Sequence, residues 1–238
     1  MQHAFMQYAF TQYAFVQFAF EIFFIVIAYL IGSIPSGYLV VRLTTGKDIR
    51  KIESGRTGGT NTIRAAGYIA GLGTGILDML KSGLAVLLVK HFFPDQPWMH
   101  VFAGVAAVIG HNYSIFLIER TSTGRIRLRG GAGGAPALGG AAGLWFPSLF
   151  ILLPVLLFVW LGIGYASLAT LSTGLFVTII FAIRAWLGVS PWEYIFYGIF
   201  VSILLFWALR PNIRRLLNGT ERLVGWRVRK NKTPENQS

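Results

Sequence analysis

Residues 55–67 read Gly-Arg-Thr-Gly-Gly-Thr-Asn-Thr-Ile-Arg-Ala-Ala-Gly, with four glycines, two arginines and no acid. Thr57, Gly58, Gly59, Thr60 and Asn61 offer backbone N–H groups, hydroxyls and an amide beside Arg56 and Arg64. Backbone donors in a tight glycine turn that feeds a helix N-terminus make an anion site. The stretch therefore reads as a phosphate cradle, with a helix expected from about Asn61. No Gly-Lys-Ser/Thr closes it, so it is not a Walker A loop. The plainer alternative is a glycine-rich turn carrying incidental positive charge.

Four other places carry groups of the same kind. Gly32-Ser33-Ile34-Pro35-Ser36-Gly37 interrupts an apolar run that ends at Arg42, so its serines either pack closely or point hydroxyls into a polar cavity. Asp78 and Lys81 are three apart and share one helix face. Either they neutralise each other, or Lys81 reaches an anion with Asp78 orienting it. His111 and Asn112 end a third apolar run, where His111 is a structural histidine or a catalytic one. Arg129 leads into Gly130-Gly131-Ala132-Gly133-Gly134, a second place where backbone can approach a ligand closely.

The elements that must position these groups are membrane spans. A mean hydropathy of +0.59, with 54% hydrophobic and only 13% charged residues, places the 238-residue chain among polytopic membrane proteins. The net charge of +12 sits in short blocks between apolar runs, which is the positive-inside pattern. Anionic membrane lipids and anionic substrates are the expected partners, and nucleic acid is not. There is no cysteine, hence no disulfide and no thiolate chemistry. The acids are few and scattered, so neither a metal site nor a cofactor is expected.

Residues 1–20 are a pentad repeat, MQHAF-MQYAF-TQYAF-VQFAF, expected to be a tandem-duplicated N-terminal extension with initiation possible further in. A five-residue period turns by roughly 140° per repeat on a helix and keeps no constant face. Lacking a basic n-region, it is a poor secretory signal. Residues 21–209 form the membrane domain and 210–238 a basic cytoplasmic tail. The expected spans are 22–43, 68–89, 101–118, a short glycine-rich half-helix at 135–146, then 147–161, 165–187 and 192–209. The basic loops and tail belong inside, so the fold expected is an all-α polytopic membrane protein of about seven helices, N-terminus outside and C-terminus cytoplasmic. Parity alone leaves five spans open, and Arg184 falls on the external side.

Four segments in order resemble the PlsY-type acyl-phosphate:glycerol-3-phosphate acyltransferases. They are Gly32 to Tyr38 with Arg42; Asp48 to Gly67 with Leu77-Asp78-Met79-Leu80-Lys81; Gly110 to Leu117 with the glycine run; and Asn212 to Glu221. The resemblance covers about residues 24–225. It implies transfer of a fatty acyl group from acyl phosphate to the 1-hydroxyl of glycerol 3-phosphate, the first step of phospholipid synthesis. The products would be lysophosphatidic acid and phosphate. It further implies a bacterial inner-membrane protein whose active site faces the cytoplasm, coupled to an acyl-phosphate-forming enzyme. Ser33, Arg42, His111 and Asn112 would be catalytic. Thr57, Gly58, Gly59, Thr60, Asn61, Arg64, Lys81, Arg129, Gly130, Gly131 and Gly133 would bind substrate, with Ser33, Arg42 and Lys81 on the acceptor. His111 would hydrogen-bond a phosphate or oxyanion, or act as general base.

The sequence departs from the family's pattern in the third motif, usually Lys-Gly-Gly-Lys-Gly, which here is Arg129-Gly130-Gly131-Ala132-Gly133. Arg56 and Gly59 stand where asparagine and alanine are common, and the loop from Leu117 to Gly130 is longer. Either Arg125 or Arg127 replaces the missing cation, or the chain is a divergent paralogue. The alternatives to an acyltransferase are an organic-anion transporter and a non-catalytic lipid-binding paralogue.

Overall fold

The computed structural model describes residues 2–121 and 123–224. The tail expected over 210–238 is described only to Val224, so its last four basic residues lie outside the described residues.

Helix α1 (Gln2–Ser33) runs unbroken out of the pentad repeat, and residues 12–20 are exposed along it. Pro35 breaks the chain before α2 (Ser36–Thr45), because its ring removes a helical donor and clashes with the preceding turn. α3 (Gly59–Ala66) starts two residues before the expected point and is parted from α4 (Tyr68–Phe92) by Gly67 at φ 89°, a conformation that glycine alone enters cheaply. α5 spans Pro97–Asn112. α6 (Gly134–Leu144) is the short glycine-rich helix, followed by α7 (Ser148–Phe158) and a single π turn to Ile163. α8 (Ala166–Trp186), α9 (Tyr194–Ala208) and α10 (Arg210–Leu217) complete the helices.

The all-α expectation is corrected in one place. The run expected to stay helical to Ile118 ends at Asn112, and Ser114–Arg120 forms strand β1, paired antiparallel with β2 (Ile126–Arg129). Ile115 to Ile118 is β-branched or bulky, which favours a strand. The turn closes when the Thr121 hydroxyl accepts from the Arg125 amide (3.1 Å) and Gly124 takes φ 77°.

Small residues let the helices touch. A Cβ on Gly139 of α6 would run into the Met79 carbonyl of α4, and one on Gly32 of α1 into the Ala107 carbonyl of α5. Such close approach is how helices associate where lipid supplies no hydrophobic drive. The core lies among α5, α6, α8 and α9, around Val101, Val108, Leu138, Val177, Phe181 and Leu205. At its centre the Tyr197 hydroxyl donates to the Ala137 carbonyl (2.8 Å).

Outward faces carry exposed Leu72, Leu80, Leu84, Phe150 and Phe158, the surface of a protein dissolved in lipid. Trp98 and Trp192 stack edge to face at one end of the bundle, near the start of α5 and of α9. Arg184 lies over the Trp145 ring at 3.7 Å, which gives that cation a site on the side where its charge was unexpected. Among the described residues three stretches are long and apolar enough to cross a bilayer alone (residues 12–45, α4 and α8), and four if α9 and α10, bent by 68°, count as one.

Candidate functional site

Two cavities open side by side where the glycine-rich loops meet the tail. The first, about 210 Å³, is lined by Gly58, Gly59, Thr60, Asn61 and Arg64, by Asp78 and His111, and by Ala132 and Gly133. The second, about 1100 Å³, is lined by Asn112, Arg127, Arg129, Gly130, Gly131 and Arg210 among others. Ser54, Arg56, Asn212, Arg215 and Arg222 belong to both and form the shared wall.

The cradle is held by its own side chains. The Asn61 amide nitrogen donates to the carbonyls of Ile52 (3.0 Å) and Arg56 (2.8 Å), pinning the loop before α3. The Thr57 amide donates to the Gly130 carbonyl (3.2 Å) and the Gly131 amide to the His111 carbonyl (3.0 Å), which laces both glycine loops to the end of α5. A Cβ on Gly130 would meet the carbonyls of His111 and Asn112, and one on Gly131 the His111 ring. The glycines there are needed for space. Gly59 and Thr60, the first two residues of α3, line the first cavity, while the next two amides, of Asn61 and Thr62, donate to the Gly58 carbonyl (3.0 and 3.1 Å).

Beneath the cradle lies a buried trio. Lys81 Nζ is 2.8 Å from Asp78 Oδ1, 3.1 Å from His111 Nδ1, and donates to the Ile34 carbonyl at 2.7 Å. An ammonium has three donors and no acceptor. His111 Nδ1 is 3.1 Å from Lys81 Nζ and 3.4 Å from Asp78 Oδ1, so it either accepts from the ammonium or donates to the carboxylate. Accepting from Lys81 puts the proton of the neutral ring on Nε2, which lies against Gly131. Lys81 is thus paired with Asp78, as both sequence readings require, and of the trio only Asp78 and His111 line the first cavity.

The remaining expected residues fall as follows. Ser33 lines neither cavity; it is buried with its hydroxyl unpartnered, and its carbonyl accepts from the Ser114 hydroxyl (2.5 Å). Arg42 is exposed, donates to the Gly46 carbonyl at the end of its own helix, and lines neither cavity. Thr57 is buried behind the cradle. Both polar atoms of the Asn112 side chain are buried without partners, beside the second cavity. Arg129 pairs with Glu119 across the hairpin.

The tail supplies what the candidate residues lacked. Glu221 accepts from Asn212 Nδ2 (2.8 Å), Arg215 Nε (2.9 Å) and the Ser167 hydroxyl (3.1 Å), while Arg222 pairs with Glu53. The one acid within Asn212 to Glu221 was the available signal for this hub; Ser167 and Thr170 are ordinary hydroxyls with none. Arg56 donates to the Ala208 carbonyl (2.5 Å), and burial, then the charge of Arg215, lowers its pKa. Arg64 is lowered by burial and then by Arg222. Cations held this close and half out of water are poised to take an anion. Ala132 faces the same cavity as these arginines.

A family profile described as Glycerol-3-phosphate acyltransferase matches residues 22–219. A protein of Thermus thermophilus named Glycerol-3-phosphate acyltransferase is 37% identical over 212 residues, 86% of this chain and 95% of its own. Glycerol-3-phosphate acyltransferase 2 of Moorella thermoacetica is 37% identical over 214 residues, 85% of this chain and 97% of its own. Among solved structures, PlsY (YgiH), an integral membrane glycerol 3-phosphate acyltransferase in its glycerol 3-phosphate form, superposes with a TM-score of 0.72 at 32% identity. That match covers 86% of this chain and 96% of the other.

Proposed function

The chain belongs to the glycerol-3-phosphate acyltransferase family, and from that premise we propose that it moves a fatty acyl group from an acyl phosphate to the 1-hydroxyl of glycerol 3-phosphate. The hydroxyl oxygen forms the new ester bond, the bond from acyl carbon to phosphate oxygen breaks, and the hydroxyl proton leaves on the released phosphate. Lysophosphatidic acid and inorganic phosphate are the products. The observation that carries this reading is the pair of basic, glycine-walled cavities sharing Arg56, Asn212, Arg215 and Arg222. Two substrates that each bear a phosphate need two adjoining anion sites.

An acyl phosphate is an activated mixed anhydride, so positioning and charge stabilisation can supply most of the catalysis. The first amides of α3, Arg64 and Arg56 neutralise one phosphate. Asn112, Arg129 and the amides of the glycine run serve the second cavity. His111, held as the Nε2–H tautomer by Lys81, is a donor to a phosphate or developing oxyanion, and the leaving phosphate is the base. Ser33 and Arg42, which line neither cavity, serve acceptor binding from the α1–α2 side, where Ser33 packs against Gly110 beside His111. The acyl chain lies along the apolar outer faces of the spans. The site opens to the cytoplasm of a bacterial inner membrane, where an acyl-phosphate-forming enzyme supplies the donor.

Ala132 on the wall of the first cavity favours one second reading, a lipid-binding paralogue without turnover. Phosphate release by the purified protein in bilayers, given palmitoyl phosphate and glycerol 3-phosphate, separates the two. Acceptor-dependent release, abolished by Asn61→Ala, is expected. Silence from a folded protein, with release on Ala132→Lys, establishes the paralogue; silence from both refutes the substrate assignment.

A further inference from the structure

Hairpin β1–β2 has two unlike faces. In its register Ile118 pairs with Leu128, Glu119 with Arg127, and Arg120 with Ile126. Paired residues share a face and successive residues alternate. One face therefore carries Ile118, Leu128, Ile126 and Arg120; the other carries Glu119, Arg127 and Arg129. On the second face Glu119 pairs with Arg129, and both arginines wall the larger cavity, whose mouth Ile126 and Leu128 reach from the first face. Beyond that mouth the first face stays exposed and apolar: Ile126 is 70% exposed and Ile118 51%, and Phe116 on the bulged end of β1 is 58% exposed.

We propose that this apolar face is a membrane-surface anchor, seated at the boundary of headgroups and acyl chains of a bilayer rich in anionic lipid. Three observations select that occupant. β1 starts two residues after α5 ends, and its Ser114 is tied to the end of α1, so the hairpin leaves the bundle at the rim of the embedded helices. The apolar residues are flanked on their own face by Arg120 and at the turn by Arg125, while the strands' one acid is on the opposite face and already paired. Apolar side chains beside cations are the pattern of a segment lying in an anionic interface. A second copy would set the same arginines against each other on a chain of net charge +12, and like charges face to face repel. Seating this face fixes Arg127 and Arg129 at headgroup depth, so the larger cavity opens where an amphiphile keeps its tail in lipid and its anionic head in water. The inference depends on the chain being embedded in a membrane and not on which reaction it performs.

The chain has no cysteine, so single cysteines introduced into the full-length protein take a spin label cleanly. Ile118→Cys and Ile126→Cys probe the apolar face, with Arg127→Cys and Thr123→Cys as the cavity-facing and turn controls. In nanodiscs of phosphatidylglycerol, labels at 118 and 126 are expected to collide several-fold more with oxygen, relative to a water-soluble nickel chelate, than those at 123 and 127. Arg120→Gln with Arg125→Gln, or discs of phosphatidylcholine alone, lower that ratio. Equal nickel access at 118, 126 and 127 puts the face in water and overturns the proposal. Spin–spin broadening at 118 in discs holding two copies, absent from discs holding one, assigns the face to a second copy and overturns it too. Equal insertion in both lipids removes the anionic requirement.

Discussion

Arg56 is the residue on which the two cavities converge, and its substitution is the sharpest test of the shared wall. Losing a charge-assisted hydrogen bond to a phosphate costs about 1.5–3 kcal/mol, so Arg56→Gln is expected to lower kcat/KM by about 10–150-fold. Steady-state phosphate release checks it, and an unchanged kcat/KM would make Arg56 a strut for the Ala208 carbonyl and nothing more. The trio beneath the cradle behaves differently. Removing one member of a buried ion pair strands the other, at about 3–5 kcal/mol. Lys81→Met should thus melt well below the parent protein, and Asp78→Asn in the same chain should restore part of the loss. Thermal unfolding in detergent reads this, and a Lys81→Met variant that melts like the parent would dismiss the pair as a determinant of stability. The same substitution frees His111 to change tautomer, so kcat should fall further than the melting point alone explains.

At the scale of elements, packing through glycine decides which substitutions the bundle accepts. Gly139→Ala pushes a methyl into the Met79 backbone and is expected to cost at least about 1–3 kcal/mol. Gly73→Ala meets open space inside α4 and should instead gain about 0.5–1 kcal/mol through helix propensity. Paired melting curves of the two variants check the contrast, and equal shifts would remove α4–α6 contact as the cause. The loop before α3 was legible in the sequence because its structure is local: a helix starts within the glycine-rich stretch, and Asn61 is the kind of residue that ties a turn to itself. The hairpin was not. Ile115 to Ile118 is a short apolar run, and such a run reads equally as helix or strand until its partner is known. The Glu221 hub was hidden for a related reason. Its partners Ser167 and Arg215 come together only when α8 and the tail fold against each other, and nothing in their spacing says so. Lys81, by contrast, was read to the correct pair of alternatives, because residues three apart on a helix must meet.

For the whole molecule the open quantity is the number of crossings, and the short helices decide it. α6 starts at the first cavity, with Gly134 in its wall, and ends where Lys90 at the far end of α4 donates to the Leu144 carbonyl (3.1 Å). α7 and its π turn then return, for the Val224 amide in the tail donates to the Gly164 carbonyl (2.8 Å). Eleven residues in α6 span only about 16 Å, about half the hydrocarbon thickness. Its glycines are buried against α4 and Tyr197, so a helix too short to cross lipid alone can complete a crossing inside protein. We propose seven crossings from this geometry, with the basic loops placed inside. A cysteine in place of exposed Phe146 is expected to react with a membrane-impermeant maleimide from outside intact cells, and one in place of Thr123 only after the membrane is opened. If Phe146→Cys also waits for opening, α6 and α7 form a re-entrant pair from the cytoplasmic side and the chain crosses five times. In either case Arg56 and the tail residues Asn212, Arg215 and Arg222 stay together, because they wall both cavities.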